Sequence, residues 1–75
     1  MTPRLPAVTP RQAVHALERC GWALDRTKGS HQVFRHPDHR HRIVVPIHAR
    51  DLATGTLHQI IEASGVSRDG FLRLL

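Results

Sequence analysis

The sequence predicts an α+β fold: a two-layer α-β-β-β-α sandwich, with a three-stranded antiparallel sheet and helices on one face. Three observations carry this. Ala13, Val14, Leu17 and Cys20 fall at helical spacing, and so do Leu57, Ile60 and Ile61. Between these segments lie three short strand-like runs separated by Gly, Pro and Asp. The intervening turns are too short for crossover connections, so the strands pair antiparallel, and both helix stripes need the same sheet face to cover.

Each element has a local reason. Thr9 caps the first helix, Pro10 suits the first helical position and Gln12 completes a capping box. That helix runs over about residues 10–20, and Gly21 ends it as a left-handed residue. Trp22 to Asp25 reads as a strand with Trp22 and Leu24 on one face, and Thr27-Lys28-Gly29 as a turn. Ser30 to Arg35 is the second strand, with Val33 and Phe34 on opposite faces. His36-Pro37-Asp38-His39 turns into a third, β-branched strand over 42–45 that Pro46 ends. Thr54 or Thr56 is expected to cap the second helix and Gly65 to stop it. Ser67 caps a last short turn carrying Phe71, Leu74 and Leu75, which Gly70 weakens by about 1 kcal/mol.

Seventy-five residues make one domain with a small core. We divide the chain into a flexible, Pro-rich segment 1–8 and a single domain 9–75. No apolar run approaches the roughly 20 residues of a membrane helix, and the N-terminus has no apolar signal region. One cysteine, Cys20, precludes an intrachain disulfide and fits a cytoplasmic protein. It lies on the helix stripe and reads as a small hydrophobe. Eleven Lys and Arg against six Asp and Glu give a net charge of +5, and ten of the eleven cations are Arg. That balance suits bidentate contacts to phosphate, hence nucleic acid.

The pattern of residues resembles a known family. Gly21-Trp22, Lys28-Gly29-Ser30-His31, Val45-Pro46-Ile47-His48, Leu52, Gly55-Thr56-Leu57, Ile60-Ile61, Gly65-Val66-Ser67 and Phe71 match the HicA toxins in order and spacing. The resemblance covers nearly everything from Pro10 to Leu75. It implies a double-stranded-RNA-binding-domain-like fold and an mRNA-cleaving toxin of a toxin–antitoxin system that blocks translation. It also implies a HicB-like antitoxin partner and makes His31 the catalytic histidine. Gly70 and the His- and Arg-rich hairpin 36–42 depart from the family pattern.

The residues agree with that implication. RNA carries its own nucleophile, the 2′-hydroxyl, and needs a base that titrates near neutral pH; imidazole does so. Such a step needs no metal, and no cofactor is expected. Lys28 either holds the scissile phosphate or is a solvated turn lysine. Gly29 permits close backbone approach, as any turn glycine would. Ser30 can orient His31 or bond phosphate, but no acid stands beside His31 to make it a nucleophile. His48 either donates a proton or caps the loop before the second helix, and we favour the loop role. Arg35, Arg40 and Arg42, with Lys28 and Gly29, are the candidate contacts to single-stranded RNA. His36, His39 and His41 lack a fourth ligand and cysteine support, so we assign no metal; we read them as a solvated, RNA-facing tip. The alternative to an enzyme is a small RNA-binding domain without chemistry, which would need cations at residue 31 rather than an imidazole.

Overall fold

The computed structural model describes residues 5–75 in the element order anticipated from the sequence. Helix α1 spans Pro10–Arg19, strands β1, β2 and β3 span Ala23–Lys28, His31–His36 and His39–Pro46, α2 spans Thr54–Ser64 and α3 spans Arg68–Arg73. The strands form one antiparallel sheet in the order β1-β2-β3. The molecule measures 36 × 27 × 17 Å, the thin dimension fitting two layers.

Helix α1 begins as its sequence dictates. Thr9 Oγ1 accepts from the Gln12 amide, and Gln12 Oε1 accepts from the Thr9 amide in return. Its C-terminus closes with the Trp22 amide donating to Leu17 O and the Gly21 amide to Glu18 O, with Gly21 at φ +94°. This brings Trp22 onto Leu17, and both are buried. Helix α2 ends at Gly65, φ +78°, but its start differs from expectation. Ala53 is the N-cap and offers no side-chain hydrogen bond. Buried Leu52, whose amide donates to Val8 O, ties the chain down two residues before Thr54 and four before Thr56. The last helix does form: Ser67 Oγ accepts from the Gly70 amide, and Phe71 is fully buried.

The core joins Val8, Ala13, Ala16, Leu17, Trp22, Phe34, Ile43, Val45, Leu52, Leu57, Ile60, Ile61 and Phe71. Of the segment 1–8, the first four residues lie outside the described ones. Leu5 packs against the core and Val8 is fully buried. Both α1 and α2 pack on β3. Strand β1, at the far edge, is exposed along its whole length. That is why Leu24 is 47% exposed while Trp22, just before the strand, is buried. Val33 pairs with Val44 on the face opposite Phe34 and Ile43, as the alternation predicts. This outer sheet face carries no helix.

Candidate active site

Strand β1 runs through Lys28, and the turn is the residue pair Gly29-Ser30 rather than Thr27-Lys28-Gly29. Gly29 sits at φ +58°, a conformation that two-residue hairpins demand. The shift has a consequence for the site. Lys28 and His31 become directly paired residues flanking the turn, so their side chains share a face. On its other side His31 pairs with Pro46, and the Ile47 amide donates to Ser30 O at 2.8 Å. His48 follows in the bend after β3, beside the same turn. His31 is exposed, and its Nδ1 lies 3.4 Å from Ser30 Oγ. The fold therefore gathers Lys28, Gly29, Ser30, His31 and the 46–48 segment at one end of the sheet. Gln32, next along β2, lines a hollow of about 310 Å³ with Pro10, Arg11, Val14 and Ile47.

The hairpin arginines lie toward the other end. Arg35 Nε and Arg42 Nε approach the two carboxylate oxygens of Asp25 at 3.8 and 3.4 Å. Arg40 is separate from this group. Its carbonyl accepts from Arg42 Nη1 at 3.4 Å, and its exposed side chain makes no ion pair among the described residues.

The three hairpin histidines do not project as a free tip, although His41 is exposed. They fold back over Trp22, with His36, His39 and His41 ring centroids at 5.1, 5.1 and 5.6 Å from the indole. His39 stacks on it at 16°. His41 Nε2 donates to Ala63 O at 2.8 Å, and Trp22 Nε1 donates to Ser64 O at 3.2 Å. His36 Nδ1 accepts from the Asp38 amide, so its Nε2 carries the proton and donates to Cys20 O at 3.2 Å. The cluster thus satisfies carbonyls that the ends of α1 and α2 leave without helical partners. Both helix-ending glycines make room for it. A Cβ on Gly21 would stand 2.9 Å from His36 Nε2, and one on Gly65 would stand 3.0 Å from the His39 ring. Sequence reasoning missed this because the bonding partners are main-chain carbonyls, which no residue type announces. The one available signal was Trp22 itself, a large ring needing cover in a chain with few apolar aromatics.

Cys20 is half-buried against the core, and burial pushes its thiol pKa up. No group of three His, Cys, Asp or Glu among the described residues is placed to hold a metal ion. No helix of the described residues is long and apolar enough to cross a membrane.

A family model described as the HicA toxin of bacterial toxin–antitoxin systems matches residues 10–66 of the 75. No curated protein matches the chain. The match begins at the first residue of α1, takes in the whole sheet and closes just past Gly65, so it includes every residue gathered around His31. The chain belongs to the HicA toxin family.

Proposed function

We propose that this toxin is an endoribonuclease that cuts mRNA without a metal ion, and that His31 is its general base. One observation supports the reading most: an exposed imidazole paired across a tight turn with Lys28, on an open sheet face. For Nε2 to take a proton, Nδ1 must carry one, and Ser30 Oγ then accepts from it. In the proposed step His31 Nε2 removes the proton of the 2′-hydroxyl. The 2′-oxygen attacks the adjacent phosphorus, the bond from phosphorus to the 5′-oxygen breaks, and a 2′,3′-cyclic phosphate remains. Lys28 faces the charge that develops on the phosphoryl oxygens. The departing 5′-oxygen takes its proton from solvent, and His48, in the bend after β3, keeps the loop role. Gly29 lets the RNA backbone approach the turn closely.

A HicB-type antitoxin is the partner the family implies, and we propose that it silences the toxin by covering His31. Cleavage without restraint would remove mRNA, block translation and arrest growth.

Asp25 is taken up by Arg35 and Arg42, and among the described residues no group of three His, Cys, Asp or Glu is placed to hold magnesium. Purified toxin free of antitoxin should therefore cut single-stranded RNA in the presence of EDTA at the rate seen without it. RNA left intact with EDTA and cut once magnesium is restored would refute metal independence. RNA left intact in both would refute the enzyme and favour a domain that only binds.

A further inference from the structure

At the end of the sheet away from His31 there is a cleft of about 430 Å³, lined chiefly by Ala23, Arg35, His36, Pro37, His39 and Arg42. Two register irregularities make it. Between the pairs Phe34–Ile43 and His36–His39, β2 has one residue and β3 has three. Strand β1 is irregular between Leu24 and Arg26. The extra β3 residues let His41 reach α2 while Arg42 stays beside Arg35, and the β1 bulge puts Asp25 between the two guanidinium groups.

Asp25 meets each guanidinium through Nε, and Arg42 Nη1 reaches the Arg40 carbonyl. Both terminal nitrogens of Arg35 and Nη2 of Arg42 have no partner among the described residues. Two cations against one carboxylate leave the cleft with net positive charge. Its opposite wall is made of rings: His36 and His39, edge to face at 4.9 Å, are braced by Trp22, and Pro37 adjoins them. The His39 ring makes no hydrogen bond among the described residues.

We infer that this cleft is a nucleotide subsite, in which Arg35 and Arg42 grip a phosphate and the ring wall receives its base. The inference rests on the RNA-cleaving reading above and adds to it where a nucleotide away from the cut is held. Guanidinium pairs match phosphate geometry, and rings accept any base by stacking. Because Asp25 and Trp22 already fix both walls, little order remains to be imposed on binding. Arg35 lies four residues along β2 from His31, or ~13 Å at ~3.3 Å per residue. At that separation the cleft holds a nucleotide beyond those flanking the scissile bond. Arg40 has no place in it.

The test uses full-length protein carrying His31→Ala, so that RNA survives, with NMR titration of a trinucleotide and an octanucleotide. Adding Arg35→Gln and Arg42→Gln should weaken octanucleotide binding about tenfold and lower its log–log salt slope by ~0.7, the value for one lost phosphate contact. Trinucleotide binding should change less than twofold. Asp25→Asn, which removes the competing anion, should tighten the octanucleotide alone. Equal losses for both lengths would mean the arginines act as a general field, and the subsite would be wrong. Unchanged RNA binding with weakened antitoxin binding would mean the cleft docks protein, which also overturns it. If the His31→Ala parent bound neither RNA, the RNA-cleaving reading itself would fail, and this shows before any cleft variant is compared.

Discussion

Replacing His31 with alanine should lower the rate of RNA cleavage by about 10²–10⁴, the usual cost of removing a general base. The fold should persist. His31 is exposed at the start of β2, and its bond to Ser30 is long, so truncation opens no core. The sheet pairings at this position, to Lys28 and Pro46, are backbone matters that alanine retains. Cleavage rates with circular dichroism on both proteins decide the matter, and His31→Gln provides a second variant of similar volume. Both variants should be folded and inactive. Activity near wild type in either would remove His31 from the chemistry.

Replacing Trp22 with alanine should destabilise the domain by about 3–5 kcal/mol. A 75-residue domain typically has roughly 4–11 kcal/mol in all, at ~0.05–0.15 kcal/mol per residue, so this variant approaches unfolding. Trp22 is 2% exposed, ties α1 to the end of α2 through Ser64 O, and is the platform on which three histidines rest. Trp22→Phe keeps most of the ring and loses the indole hydrogen bond, a cost of about 1 kcal/mol. It should lower Tm by about 4–8 °C and remain folded. Thermal and urea melts of the two variants test the account. A Trp22→Ala protein that melts within a few degrees of wild type would show that the histidine clamp contributes little.

What the sequence revealed, it revealed through local signals. Thr9, Pro10 and Gln12 act on one another within three residues, so the start of α1 was legible. The alternation that separates Val33 from Phe34 is also local. Errors came where a distant contact decided the outcome. Thr54 has the right side chain for a cap, yet the Leu52–Val8 hydrogen bond, 44 positions apart in the chain, sets the entry to α2. Leu24 has the right spacing for the core, yet both helices pack on β3 and leave β1 uncovered. His36, His39 and His41 have the composition of a solvated tip, yet bulged register, the Trp22 ring and two main-chain carbonyls hold them against the helix ends. The turn between Lys28 and His31 was legible as a motif but misplaced by one residue. That residue matters, because it puts Lys28 directly across from His31.

The most direct measurement of the central claim is the chemistry of the cut ends. Single-stranded RNA is incubated with the wild-type toxin in EDTA, and the products are analysed for their terminal groups. Attack by the 2′-oxygen, activated by His31, predicts a 2′,3′-cyclic phosphate or its 3′-phosphate hydrolysis product on one fragment and a 5′-hydroxyl on the other. Fragments bearing 5′-phosphate and 3′-hydroxyl ends would contradict it, because water would then be the nucleophile.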